Sequence, residues 1–527
     1  VQLAGYARVT SPDFRGDPGR PESWLDRRGD LLREMPGRRV FRADISGQPV
    51  VIKEFTPHRL RHWFRSYAAT EAENALALRA RGVPVVEPLA VARLRDGRQL
   101  VVLREEEGAL SLHHLVLGGA LRGRARHGLA RRVGELFARL QNAGVRNRDP
   151  HAGNVLVRPD GSVLFADAGG LEPGDYLAPA ERADALAAFS LFFETHGNAV
   201  DRLLFWGAYG RAATCTPEEL EELRRRVIEG MPAAFRRLVR ARSRRRRRLA
   251  RRVEAGSFLG RAFGDIDPAL LDDAARFAAG LEEGPRVLKK SPTAWTFAVG
   301  DDFVAKAFLP KKATRPLRDL LCGTRAERAM VAEEALLHRG LRGPSVVAAL
   351  RDREMPGRSL LVMRREKEAL PLEQALAGLA PRDAREASRL LGRTLRRMHD
   401  RGLRHRDLKK DNVFGTPDGR DFVFLDLDGV REGGRAVAWE LRAKDLATLA
   451  GSLLDFRRVP TGLRLRALDA YLSGETPPGF APGGFPRLVM RLASEARARR
   501  TAAGLPADPS AGLPAEAPPG AKAGTPS

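Results

Sequence analysis

Two short stretches of this 527-residue chain carry the same residue types at the same spacing. In RNRDPHAGNVLV (146–157) Asp149 is followed five residues later by Asn154, then by an apolar run, and 13 residues beyond the asparagine by Asp167. In RHRDLKKDNVF (404–414) Asp407 and Asn412 repeat that order, and Asp426 follows Asn412 after 14 residues. A shift of 258 residues superposes Gly144 on Gly402, Arg148 on Arg406, Asp149 on Asp407, Asn154 on Asn412 and Asp160-Gly161 on Asp418-Gly419. One carboxylate able to take a proton from a hydroxyl, with an asparagine and a second carboxylate offering hard oxygens to Mg²⁺, is what phosphoryl transfer requires. Asp149 and Asp407 are the candidate bases; Asn154 with Asp167, and Asn412 with Asp426, are the candidate metal ligands. Lys409, two residues after its base, is placed to neutralise charge on a transferring phosphoryl group.

The same order, H-R-D-x4-N followed by a second aspartate, marks protein kinases, which also need a strand lysine paired with a helix glutamate. Only 11 of the 91 basic residues are lysines, and the single lysine before Lys289 is Lys53, in the strand-like run VVIKEF. A compact ammonium kept among arginines at that place is expected to bridge nucleotide phosphates and a glutamate, which a planar guanidinium does poorly. An edge-strand lysine reaching water is the plainer alternative. Glu73 is the expected partner of Lys53, and Glu333 that of Lys306. The first copy has Asn147 where the second has His405, and Asn can still donate and accept hydrogen bonds. Neither copy has a G-x-G-x-x-G loop, so cover for the phosphates is expected from backbone or from Lys289 and Lys290.

The elements that must position these residues also come twice. RRVFRADI, an SGQP turn and VVIKEF match AWTFAV, GDD and FVAKAF; the helical TEAENALALRARG matches RAMVAEEALLHRG. Two more strands and long helices follow in each copy before the motif region, where RPDG and TPDG supply a hairpin turn. Strands followed by helices predict an α+β fold: two tandem protein-kinase-like bilobal domains, each with a small antiparallel β N-lobe and a helical C-lobe. The expected layout is an N-terminal extension (1–29), a first domain (30–235), an Arg-rich helical linker (236–280), a second domain (281–500) and a disordered Pro/Ala/Gly-rich tail (501–527). Opening on Val1, the sequence is expected to lack a few native residues.

Composition narrows the class. Apolar residues at 43% with 30% charged read as soluble and globular, and no uncharged apolar run is long enough to span a bilayer. The N-terminus lacks the apolar core of a signal peptide, and two distant cysteines suggest neither a disulfide framework nor a zinc site. A net charge of +25 points to anionic partners, although arginine-heavy usage is also a compositional bias. Residues 236–252 hold 11 arginines in 17 positions. Such a run is either a solvated linker or a contact for an anionic membrane surface. Nucleic acid is the weaker partner, because no aromatic residue interleaves with the arginines.

The first copy's VVIKEF…TEAENALALRARGVPVVEPLAVAR and the second copy's HRDLKKDNVF…FLDLDGV…KDLATL resemble the lipopolysaccharide kinase (Kdo/WaaP) family. The resemblance implies a kinase-like fold, use of ATP and Mg²⁺, and phosphorylation of a Kdo or heptose hydroxyl in the inner core of lipopolysaccharide or a lipid A precursor. It also implies a cytoplasmic enzyme peripheral to the inner membrane. A protein Ser/Thr kinase is a further alternative. It is disfavoured because only 17 residues separate Asp167 from Asp184, and 19 separate Asp426 from Asp445, leaving little room for a regulated activation loop. A last alternative is a scaffold in which one copy binds nucleotide without turnover.

Overall fold

The computed structural model describes residues 6–26, 28–56, 66–119, 121–281, 284, 286–310, 319, 322–453 and 459–502. Most of the expected tail, residues 503–527, lies outside the described residues. The chain forms two compact units, Val1–Ala234 and Phe235–Ser527.

The first unit opens with β1 (Tyr6–Val9), β2 (Arg28–Met35), β3 (Arg38–Ile45) and β4 (Gln48–Phe55). Helix α1 (Tyr67–Ala80) and strands β5 (Pro88–Arg93) and β6 (Gln99–Arg104) follow, and the six strands form one antiparallel sheet in the order β1-β5-β6-β4-β3-β2. Alternation along β4 sends Val50 and Ile52 into a core with Trp24, Phe41 and Leu89. Its odd-numbered residues, Val51 and Phe55, pack with α1's Ala68 and Ala72 on the opposite face, and Lys53 shares that parity. Short strands β7 (Leu110–Ser111), β8 (Arg146–Asn147), β9 (Val155–Val157), β10 (Val163–Phe165) and β11 (Leu171–Glu172) surround the motif. The helices of this part are α2 (Leu112–Leu117), α3 (Gly123–Asn142), α4 (Pro179–His196) and α5 (Ala199–Ala212), followed by α6 (Pro217–Leu249), within which the unit boundary falls.

The second unit's sheet is built from β12 (Arg251–Ala255), β13 (Phe258–Ala262), β14 (Val287–Ser291), β15 (Ala294–Val299), β16 (Phe303–Phe308), β17 (Val346–Asp352) and β18 (Ser359–Arg364). Its order, β12-β13-β17-β18-β16-β15-β14, repeats the first unit's β5-β6-β4-β3-β2 as β17-β18-β16-β15-β14, with β13 and β12 where the first unit has β1. Helix α7 (Pro268–Gly280) precedes β14, and α8 (Arg325–Leu337) stands between β16 and β17. The remainder comprises β19 (Leu370–Pro371), α9 (Leu372–Ala377), α10 (Pro381–Asp400), β20 (Leu403–His405), β21 (Val413–Gly415), β22 (Phe422–Phe424), β23 (Val430–Glu432), α11 (Trp439–Leu453), α12 (Thr461–Leu472) and α13 (Gly484–Ala502). Among the described residues no helix is long and apolar enough to cross a membrane.

Two expected boundaries are corrected. Residues 6–26 are not an extension: β1 pairs with β5, and Trp24 is buried with its Nε1–H donating to the Asp17 carbonyl at 3.0 Å. Nor is 236–280 a linker, because β13 pairs with β17 and α7 buries Leu271, Ala274 and Ala278 against Phe258 and Phe297. The reason is shared. Each outer strand, β5 or β17, would otherwise leave a row of backbone N–H and C=O groups unpaired, and the preceding segment supplies a partner.

Below the sheets the repeat persists where the motifs did not show it. Gly134 of α3 lies against the Phe205 carbonyl and 3.1 Å from the Tyr209 nitrogen, measured from where a Cβ would be. Gly392 of α10 meets the Ala467 carbonyl and lies 3.0 Å from the Tyr471 nitrogen in the same way. Tyr209 then donates to Gln141 at 2.6 Å, and the Tyr471 hydroxyl lies 2.8 Å from His399 Nδ1, so each long helix is crossed at a glycine and pinned near its end. Gly392→Ala should therefore destabilise the protein by roughly 1–3 kcal/mol through backbone overpacking, read as a lowered denaturation midpoint in urea, whereas the exposed Gly474→Ala should leave the long-helix crossing untouched.

Candidate functional site

Strand pairing brings each motif's distant aspartate back to the Asp-x4-Asn segment. In the first unit β8 pairs with β11, and the β9–β10 hairpin turns at Asp160-Gly161, with Gly161 at φ 81°. Ala166 donates to the Asn154 carbonyl at 2.9 Å, which sets Asp167 next to the motif. In the second unit β20 pairs with β23 and β21 with β22, and Leu425 donates to the Asn412 carbonyl at 2.9 Å. Asp426 takes a left-handed backbone, φ 51°, a conformation tolerated by aspartate and concentrated at working sites.

Each asparagine holds the aspartate five residues before it. Asn154 Nδ2 donates to the Asp149 carbonyl at 3.0 Å and to its carboxylate at 3.2 Å; Asn412 does the same to Asp407 at 2.8 and 3.0 Å. With the amide nitrogen committed, the amide oxygen is left for a cation. Mg²⁺ keeps several waters and needs only one or two carboxylates beside phosphate oxygens, so Asn412 with Asp426 fits it as a donor set. No cluster of three or more His, Cys, Asp or Glu suited to a metal occurs among the described residues. His405 is buried, with Nε2 2.7 Å from the Leu425 carbonyl, and so ties the motif strand to the hairpin. Asn147, at its place in the first unit, accepts from the Asp149 backbone N–H at 3.0 Å.

The lysine of the first unit is buried and paired, but not as expected. Lys53 Nζ binds Glu71, donates to the Ala166 carbonyl at 3.1 Å and lies 3.5 Å from Asp167. Glu73 is exposed and, among the described residues, meets Arg8 at 3.2 Å. Two residues along a helix is a rotation of roughly 200°, so when Glu71 faces the sheet Glu73 must face water. Burial pushes the Glu71 carboxyl up, against the pull of Lys53. Burial also opposes ionisation of Asp167, yet Lys53 and Arg38 together hold its carboxyl well below the usual carboxylate range.

The second unit has changed the arrangement. Lys306 does not meet Glu333; its Nζ binds Asp426 directly at 2.6 Å, and this contact outweighs burial in keeping the Asp426 carboxyl low. Glu333 and Glu334 instead bind Arg246, at 2.6 and 3.0 Å, which also donates to the Val346 carbonyl. One arginine of the 236–252 run is thus consumed in holding α8. Both helices end in the same turn, Val83 N–H to the Leu78 carbonyl and Leu341 N–H to the Leu336 carbonyl. Matching those turns places Ala329 where α1 has Glu71, and Arg325 where it has Tyr67.

The surroundings change together. Tyr67 stacks on Phe55 at 5.9 Å, whereas the Arg325 guanidinium sits 4.3 Å over Phe308, and each phenylalanine lies two residues after the strand lysine. Arg325 also binds Asp428 at 2.6 Å and donates to the Thr293 carbonyl at 2.9 Å. In the first unit the residue two after Asp167 is Gly169, and a Cβ there would lie 3.6 Å from the Glu71 carboxylate. One unit secures its helix through Lys53–Glu71; the other does so through Arg325–Asp428.

The residue two after Asp149 and Asp407 also differs. Lys409 Nζ is 2.9 Å from the Asp407 carboxylate; His151 Nε2 is 3.4 Å from that of Asp149, and this contact draws the Asp149 carboxyl down. Gly153 donates to His151 Nδ1 at 3.0 Å, so Nε2 carries the proton that faces Asp149. Lys289 stands within electrostatic range of Lys409, Asp411, Asp426 and Asp407, while Lys290 lies over the Trp295 ring at 4.6 Å. Sequence reasoning missed Glu71, Arg38, His151, Arg325 and Asp428. Glu71 could have been found by testing helix phase against the buried alanines of α1. A direct check is available: Glu71→Ala should cost roughly 3–5 kcal/mol by stranding a buried ammonium, and Glu73→Ala under about 0.5 kcal/mol, both read from urea denaturation. Equal effects would mean that Lys53 has the other partner.

No curated protein matches the chain. The segment running from the end of β16 through α8, Asp407, Asn412 and Asp426 to the start of α12, residues 309–465, matches the model of the lipopolysaccharide kinase (Kdo/WaaP) family.

Proposed function

We propose that the protein is a kinase that uses ATP and Mg²⁺ to phosphorylate a sugar hydroxyl, of Kdo or heptose type, in the inner core of lipopolysaccharide or a lipid A precursor. Both units are read as kinase-like, each a sheet lobe and a helical lobe, with the second unit as the catalytic one. The observation that carries this is the geometry at Asp407: Asn412 and Lys409 hold its carboxylate within a segment that matches the family.

In this reading Asp407 orients the acceptor hydroxyl and takes its proton as the new O–P bond forms and the bond from the γ-phosphorus of ATP to its bridging oxygen breaks, releasing ADP. Asn412 and Asp426 would hold Mg²⁺, which would supply charge neutralisation at the phosphate oxygens. Lys306, on Asp426, aligns the phosphates from the strand side, and Lys289 approaches the same charges from β14, where a glycine-rich loop is missing. Lys409 lies beside the base, where the transferring group's charge develops. The first unit, with Lys53, Glu71, Asp149, Asn154 and Asp167 gathered, is read as a second nucleotide site. A nucleotide-binding unit without turnover is the competing reading for it, favoured by the arginine bound to Asp167.

The remaining arginines of the 236–252 run are read as a contact for the anionic cytoplasmic face of the inner membrane. Arg240, Arg244, Arg248, Arg251 and Arg252 are exposed, whereas Arg246 is engaged in the second unit. At about 1 kcal/mol per basic residue near a charged bilayer, binding should weaken steeply with salt. Sedimentation with acidic liposomes is therefore expected to fall between low and high salt and to be absent with neutral ones; equal binding to both would remove the membrane role.

Asp407→Asn should lower turnover by roughly 10²–10⁴ with little change in ATP affinity. Mass spectrometry of lipopolysaccharide from a deletion strain should show a lost phosphate, restored by the wild-type gene and not by the Asp407→Asn form. Unchanged lipopolysaccharide in the deletion strain would overturn the acceptor assignment.

A further inference from the structure

The two metal-type aspartates differ in what already holds them. In the first unit both carboxylate oxygens of Asp167 are occupied: Arg38 Nη2 lies 3.0 Å from Oδ2, while Gly169 N–H and Lys53 Nζ lie 3.1 and 3.5 Å from Oδ1. In the second unit Lys306 binds Asp426 Oδ1 at 2.6 Å, and no second cation pairs with that carboxylate among the described residues. Arg38 begins β3, next to Gly37 in the β2–β3 turn, where φ is 79°. It packs over Phe55 at 5.4 Å and is within electrostatic reach of Asp167, Glu71 and Asp149, all three acidic groups of the site. By register Arg38 stands opposite Phe55; opposite Phe308 the second unit has Ala294. The extra cation therefore belongs to the first unit's site.

We propose that Arg38 is a built-in replacement for the divalent cation of the first unit, making it a site that binds a nucleoside triphosphate without metal. This rests on reading that unit as a nucleotide site. A divalent ion entering beside Asp167 would have to displace a guanidinium already paired there, or tolerate it as a like charge at close range. The guanidinium cannot be titrated away, and its fork of N–H donors matches phosphate oxygens in pairs, as an ammonium does not. Its seat on the first hairpin is where a glycine-rich loop would otherwise cover phosphates by backbone alone. Asp426, with one cation and a free oxygen, keeps room for Mg²⁺. The chain would thus carry one metal-dependent and one metal-independent nucleotide site.

The test uses the full chain with its second site silenced by Lys306→Ala and Asp426→Asn, and ATP binding followed by calorimetry with excess Mg²⁺ or with EDTA. Protein with Arg38 should bind one ATP per chain, with affinity changed less than about threefold by EDTA. Adding Arg38→Met, which keeps apolar contact with Phe55, should weaken binding in EDTA by roughly 10- to 100-fold, the usual worth of a charge-assisted hydrogen bond. Arg38→Lys, which keeps the charge without the fork, should fall between the two and control for folding. Binding by Arg38 protein that collapses in EDTA, or an Arg38→Met form indistinguishable from its parent, would overturn the proposal while leaving the nucleotide site standing. Absence of binding in both buffers would overturn the nucleotide reading and the proposal with it.

Discussion

A lysine ammonium set in an apolar strand cannot stay there alone; it must meet a carboxylate or lose its charge. Much of the architecture around each site answers that constraint. In the first unit Glu71 meets Lys53 from the helix, and Gly169 leaves room for that carboxylate beside Asp167. In the second, the equivalent helix position is Ala329, so Lys306 turns to Asp426, and the helix is secured by Arg325 on Asp428. The changes at 67/325, 71/329 and 169/428 make sense only together. Reversing any one of them would strand a buried charge or crowd a carboxylate.

The two solutions have different chemical consequences. Among the described residues the carboxylate of Asp426 is paired with Lys306, through one of its two oxygens. That of Asp167, held by both Lys53 and Arg38, is already neutralised. Beside Asp407 and Asp149 the same division recurs: Lys409 brings an ammonium group to Asp407, while His151 presents Nε2–H to Asp149 and is held to the backbone through Nδ1. The cations around Asp426 in the second unit are lysines, whereas Asp167 in the first unit is held by a lysine and an arginine.

Outside the sites, the units depend on close approaches that few residue types permit. Gly134 and Gly392 let α5 and α12 cross the long helices at backbone contact, and the tyrosines that follow fix each helix end. Arg246 shows how charge in the basic run is divided between structure and surface. Its guanidinium binds two glutamates of α8 and a backbone carbonyl, while neighbours on the outer face remain in water.

The duplicated motif, its hairpin and the strand lysines were legible in the sequence because each rests on local rules. Asp-x4-Asn fixes which groups meet within one turn, Pro-Asp-Gly fixes where the chain reverses, and alternation fixes the face on which a lysine emerges. The strands RRVFRADI and AWTFAV fell where alternation placed them, at β3 and β15. Tertiary structure decided the rest, since it depends on helix phase and on contacts across long separations. Whether Glu71 or Glu73 meets Lys53 turns on the rotation of α1 against the sheet, which a two-residue difference in sequence does not display. Whether Arg38 reaches Asp167, 129 residues away, or Arg325 reaches Asp428, depends on a hairpin and a helix converging on one loop. The strands β1 and β13, which pair with the outer strands β5 and β17, likewise had no strong pattern of their own; they form because an unpaired sheet edge needs a partner, a demand that exists only once the sheet does.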